Sequence, residues 1–270
     1  MKEILKVELF RLKKSVAFWV CFGLCVGFPL LGFALTYGIN LMFSEIADME
    51  TLLQQYRTEG GAFLFLTDYI PYASDCNILA LICTTVVLCG EFRHGTVRNM
   101  ILANKSRKQI YLAFFVMSLI VGTVYLLSSF TMTLTLFGTS FGFGNLAAPK
   151  AFTNVLLFLL MGITSMVCVQ TMVCMFMFGT RKTSLTILFP LLITTLLPSF
   201  VAQISGAILA AVRNPSVVQK VGYFIPFYNW ELDILTPSGV NVGMILLYNV
   251  LFAAIFFVSS FFSFQKKDLK

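Results

Sequence analysis

Long unbroken apolar runs constrain this 270-residue chain more than any other feature. A helix of about 20 apolar residues crosses the hydrocarbon core of a bilayer. Six stretches approach or exceed that length: 16–38, 75–90, 109–137, 153–178, 184–203 and 243–263. In lipid, backbone groups must pair within the spanning structure, which leaves a helix bundle or a closed barrel. Barrel strands alternate apolar and polar positions, whereas these runs are continuous. Hydrophobic residues make up 58% of the chain and charged ones 11%, a balance that excludes a soluble domain. The expected fold class is an all-α polytopic membrane protein with six transmembrane helices, forming one transmembrane domain over 1–270.

The edges of the spans carry further information. The second run is short unless it begins near Tyr72, and the fifth contains Pro190 and Pro198. Segment 204–242 is semi-apolar but broken by Pro215, Pro226 and Pro237, a pattern expected to give short outer interfacial or re-entrant helices rather than a further crossing. Residues 15–39 are too long for the apolar core of a secretory signal and are read as a retained first span. Ahead of them, 1–14 places Leu5, Leu9, Leu12 and Val16 at helical spacing among lysines, which predicts an amphipathic interfacial helix. Gly23 and Gly27 form a GxxxG pair suited to close helix approach.

Charge sorts along the chain. With both termini on the cytoplasmic side, the inner segments hold fifteen of the nineteen Lys and Arg, and the outer segments hold eight of the twelve acidic residues. That asymmetry satisfies the positive-inside rule. The net charge of +7 is then explained by topology and by attraction to anionic membrane lipids, with no call for nucleic acid.

Chemistry inside the membrane usually needs ionisable groups at depth, and the cores of these spans have none. His94 is the only histidine, which excludes His-rich metal sites. No paired acidic motif lies within a span and no nucleophile elbow occurs, so no catalytic residue is assigned. The seven cysteines lie mostly inside apolar runs, where Cys packs as a small hydrophobe. Gly179–Ser184 lacks the glycine spacing of a phosphate loop. Any ATP that drives this chain must therefore bind elsewhere. The polar groups at depth are neutral: Gln170, Asn249, Ser128 and Thr131 are the candidates for a substrate path, and helix–helix hydrogen bonding is the plainer explanation.

One charged island interrupts the pattern. In 91–108 the residues Glu91, Arg93, His94, Arg98, Lys105, Arg107 and Lys108 crowd the connection between the second and third spans. Gly95 breaks the helix, Thr96 is placed to cap a new one, and Asn104 suits its end. Ser106 and Gln109 have capping-box spacing at the start of the third span. A short cytoplasmic helix is expected, with Phe92, Val97, Met100 and Ile101 as apolar contacts within a basic rim. Glu91 is placed to tie the loop to its own bundle.

The stretch Glu91–Ala113, with its Glu-Phe-Arg-x-Gly-Thr-x-Arg-Asn core, resembles the coupling helix of type-2 ABC transporter permeases. That exporter family includes bacitracin- and lantibiotic-resistance permeases. The N-terminal basic segment, the six runs and the proline-broken outer segment fit the same likeness. The resemblance implies a non-enzymatic transport subunit, paired with a second copy or a sister permease, in a bacterial cytoplasmic membrane. It also implies a cytoplasmic ABC ATPase subunit that binds ATP and Mg and docks through Glu91, Phe92, Arg93, Thr96, Val97, Arg98, Met100 and Ile101. Amphipathic peptide antibiotics or lipophilic compounds are the expected cargo. Small-ion efflux within the same family stays open, as do an intramembrane enzyme and a toxin-sequestering immunity protein.

Overall fold

The computed structural model describes residues 2–43, 70–141, 149–212 and 242–266. They form helices α1 (Lys2–Lys14), α2 (Val16–Phe43), α3 (Ile70–Arg93), α4 (Thr96–Leu102), α5 (Arg107–Phe141), α6 (Pro149–Thr180), α7 (Thr183–Val212) and α8 (Val242–Lys266). No strand occurs among the described residues. Five helices, α2, α3, α5, α6 and α8, are long and apolar enough to cross a membrane, and α7 contributes a shorter apolar stretch over Thr183–Leu196. The architecture is an all-α polytopic membrane protein.

Several helices outrun the sequence-based edges. α2 continues to Phe43, and α3 begins at Ile70 with Pro71 in its first turn, where a missing N–H leaves no bond unmade. α6 likewise opens on Pro149. α7 passes through both Pro190 and Pro198 and reaches Val212, so 204–212 extend that helix. Each proline deletes a single donor, which a packed bundle tolerates. The rest of the expected outer segment, 213–241, lies outside the described residues, as does 44–69 of the first outer loop.

Burial divides the helices. α3, α5 and α6 form the interior: Leu81, Cys83 and Leu88 of α3, Phe114, Met117 and Tyr125 of α5, and Cys168, Met172 and Cys174 of α6 are almost fully buried. α2 flanks α3 and α5, while α8 lies along α6 in the most extensive helix–helix contact. Both present exposed apolar side chains, including Leu31 and Leu35 on α2 and Val250 and Ile255 on α8, as helices facing lipid do. Two tyrosines fasten α5 to them. Tyr125 donates to the Phe18 carbonyl at 2.8 Å and Tyr111 to the Phe257 carbonyl at 3.2 Å. Such bonds matter in a bundle, because lipid supplies no alternative partner. All seven cysteines are buried.

Close approach occurs at a different glycine from the expected pair. Among the described residues, nothing lies within 4 Å of where a Cβ would stand at Gly23 or Gly27. At Gly122 of α5 a Cβ would lie 2.7 Å from Met166 Cγ of α6. The missing side chain is what lets these two central helices meet. Replacing Gly122 with Val is expected to cost about 1–3 kcal/mol through overpacking. Thermal unfolding in detergent tests this: a paired Met166→Ala should return part of the loss, and an unchanged loss in the double variant would contradict the contact.

Candidate functional site

The island between the second and third spans folds as a tight helical corner. α3 continues through Glu91, Phe92 and Arg93, and the chain turns at Gly95, whose φ of 69° is left-handed. A Cβ there would meet no neighbour, so glycine is required by backbone conformation alone. The expected cap at Thr96 is corrected: Gly95 holds the N-cap position without a side-chain bond, and Thr96 is the first helical residue. The Gly95 carbonyl already accepts from Asn99 N at 3.1 Å, which fixes that assignment.

The far end of α4 closes as a Schellman motif. Asn104 is left-handed at φ 60°. Its N–H reaches the Ile101 carbonyl at 3.0 Å, and Lys105 N–H reaches the Met100 carbonyl at 3.1 Å, the two bonds that define the motif. Ser106 Oγ then accepts from Gln109 N at 3.3 Å, one half of the anticipated capping box. Between two stops, α4 is limited to seven residues.

Packing sorts the eight anticipated docking residues into groups. Val97 is 2% exposed, and Phe92, Met100 and Ile101 pack against the same bundle core. Phe92 lies edge-on to Phe178 of α6 at 5.6 Å and to Phe114 of α5 at 6.2 Å. Phe178 meets Tyr111 of α5 at 5.0 Å and Phe264 of α8 at 4.6 Å. The apolar side of the corner is thus committed to the chain's own bundle through an aromatic cluster drawn from α3, α5, α6 and α8. Arg93, His94, Arg98 and Asn99 are exposed, and Leu102 is 76% exposed. Thr96 lies between the groups, half-buried.

Charges join the corner to α1. Glu91 pairs directly with Arg11, not with its neighbours Arg93 and Arg98, and Arg11 also reaches Glu8 at 3.5 Å. Lys105 Nζ contacts Glu3 at 2.8 Å, which holds that exposed carboxyl below its ordinary range. The side of α1 that meets the bundle carries Ile4, Glu8 and Leu12. The expected stripe of Leu5, Leu9, Leu12 and Val16 is therefore corrected: Leu9 and Val16 are exposed, and Val16 belongs to α2. Hydrophobic spacing alone misplaced the face because a carboxylate occupies its centre. At the opposite end of the corner, Arg107 donates to the Gln265 carbonyl at 2.9 Å, placing a cation at the C-terminus of α8 as its dipole favours.

Sequence reasoning missed Glu3, Glu8 and Arg11 as parts of this site, and it placed Lys105 in the charged island without its partner Glu3. Glu8 offered a signal, since it stands four residues from both Ile4 and Leu12 and so shares their face.

No hydrogen bond among the described residues joins the four polar candidates for a path to one another. Gln170 is buried and neither amide atom has a hydrogen-bond partner among the described residues. Asn249 Nδ2 donates to Thr164 Oγ1 at 3.4 Å, joining α8 to α6. Ser128 and Thr131 donate to the Tyr125 and Leu127 carbonyls of their own helix at 2.9 and 2.8 Å, and Thr131 is exposed. No group of three or more potential metal ligands occurs among the described residues.

Comparison with known proteins agrees with this architecture. Residues 4–201 match the family described as ABC-2 family transporter protein, and the chain belongs to that family. It is thus a multi-pass membrane permease subunit of an ABC exporter. No curated protein and no solved structure matches the chain.

The Glu8 carboxyl is pushed up from 4.5 to about 7, first by burial and then by the nearby Glu91 charge, with Arg11 opposing. The folded chain therefore holds this proton across about pH 4.5–7 while the unfolded chain does not. Stability contributed at α1 should fall as pH rises through that window and level off above it. Hydrogen exchange of α1 amides between pH 5 and 8 measures this, and Glu8→Gln should remove the slope. A slope unchanged by Glu8→Gln would contradict the assignment.

Proposed function

We propose that the chain is the permease half of an ATP-driven exporter whose cytoplasmic ATPase subunit docks on the exposed side of α4. The observation that carries this reading is the two-sidedness of the corner. Phe92, Val97, Met100 and Ile101 are sunk into the bundle, whereas Arg98, Asn99 and Leu102 face outward. A largely exposed leucine beside arginines gives a partner an apolar contact with a basic rim, suited to an acidic groove. The sunken side carries a push on α4 to α5, α6 and α8 through the aromatic cluster around Phe178.

In this reading ATP and Mg bind on the partner subunit, and the permease pairs with a second copy or a sister permease. Both termini and the corner face the cytoplasm of a bacterial cell, consistent with the positive-inside distribution. The cargo is an amphipathic peptide antibiotic or another lipophilic compound. The Phe-rich composition and the lack of ionisable residues in the cores of the spans support such a cargo over an ion.

Arg98→Glu combined with Leu102→Asp alters the outward face alone. The double variant should lose co-purification of the ATPase subunit by at least tenfold while the permease stays monodisperse with full helix content. Retained co-purification would overturn the docking role.

A further inference from the structure

The side of α1 turned away from the bundle is chemically distinct from the side that packs. Ile4, Glu8 and Leu12 face inward. At 100° per residue, Lys6, Phe10, Lys13 and Lys14 fall on one arc centred opposite them, an arc that Glu3 shares. All four are exposed, Phe10 by 60%. The Lys14 ammonium lies 4.5 Å from the centre of the Phe10 ring, so ring and charge form a single patch. The nearby carboxylates are committed elsewhere: Glu3 to Lys105, and Glu8 and Glu91 to Arg11. No acidic group among the described residues pairs with Lys6, Lys13 or Lys14.

The position of this patch along the chain is set by Trp19. Its indole N–H donates to the Lys13 carbonyl at 2.8 Å, and the ring is 53% exposed. Trp19 stands in the first turn of α2, where the Val16–Leu35 span begins. Tryptophan at the end of a span marks the headgroup region. The C-terminal end of α1, with Lys13 and Lys14, therefore lies where the chain enters the bilayer. A basic face with an aromatic side chain at that depth complements an anionic headgroup, and the lysine stems can reach along apolar surface to it.

We propose that the outward face of α1, formed by Lys6, Phe10, Lys13 and Lys14 beside Trp19, binds anionic phospholipid headgroups in the leaflet that holds this helix. The inference rests on α1 and on the membrane class of the protein, and it is independent of where an ATPase docks. The same helix carries Arg11 and Glu3, which hold Glu91 and Lys105. Lipid bound on one side of α1 is thus one helix away from the α3–α4 corner.

Trp19 is a built-in reporter. The chain has two tryptophans, so Trp230→Phe leaves Trp19 as the single emitter. The protein is placed in nanodiscs with equal mole fractions of brominated phosphatidylglycerol or brominated phosphatidylcholine, and the quenching of each is compared. Each lysine near the surface favours anionic lipid by roughly fivefold. The parent should show several-fold stronger quenching by the anionic lipid, falling towards parity in about 1 M salt, where screening is short-ranged. Replacing Lys6, Lys13 and Lys14 together with Gln should abolish the preference, and replacing them with Arg should restore it. Equal quenching in the parent overturns the proposal and leaves this face to solvent or a protein partner. A preference that persists in the Gln variant also overturns it, by placing the lipid elsewhere. Should the triple variant fail to fold, the salt series on the parent decides alone.

Discussion

Phe178 is the point on which the arrangement turns. Its ring is fully buried and lies against Phe92, Tyr111 and Phe264, so one side chain of α6 touches the ends of α3, α5 and α8. Aromatic pairs at such separations contribute about 0.5–1.5 kcal/mol each beyond the area they bury. Position matters more than sum here. The cluster lies directly behind the corner between α3 and α5, and Phe92 belongs to both. The corner is bounded by a left-handed glycine at one end and a left-handed asparagine at the other. In the proposed docking, a displacement of α4 would be passed to the helices that Phe178 gathers.

Electrostatics adds a second attachment of different character. Arg11 and Lys105 cross between α1 and the corner to reach Glu91 and Glu3. The Glu3 pair is exposed and contributes little on its own. The Glu8–Arg11–Glu91 group is more consequential, because Glu8 is buried at the centre of the face by which α1 docks. Two carboxyl groups face one guanidinium there, and the burial of the inner one makes the seat of α1 dependent on protonation. The aromatic attachment is insensitive to pH and the ionic one is not.

Much of this was legible in the sequence, and the failures have a common cause. Apolar length gave the helices, and turn chemistry gave the corner: Gly95, Asn104 and Ser106 act as local stops or caps, since those effects depend on neighbours in the chain. The division of the corner into a sunken and an outward side was not legible. Val97, Met100 and Ile101 look alike as a docking ridge or as an anchor, and only the aromatic wall contributed by α5, α6 and α8 decides between them. The α1 face was misplaced for the same reason. A rule that turns apolar residues inward passes over Glu8 despite its spacing from Ile4 and Leu12, and the Arg11–Glu91 pair beside it comes together only in three dimensions. The GxxxG pair of α2 is a further case, since a small-residue spacing permits close approach without requiring it.

The central claim is that the outward side of α4, and not its sunken side, receives the partner subunit. A photoreactive amino acid placed at position 102 in the assembled complex tests it directly, with position 251 on the exposed face of α8 as the reference. The account predicts a cross-link to the ATPase subunit from 102 and none from 251. A complex that assembles yet gives no cross-link from 102 would contradict it.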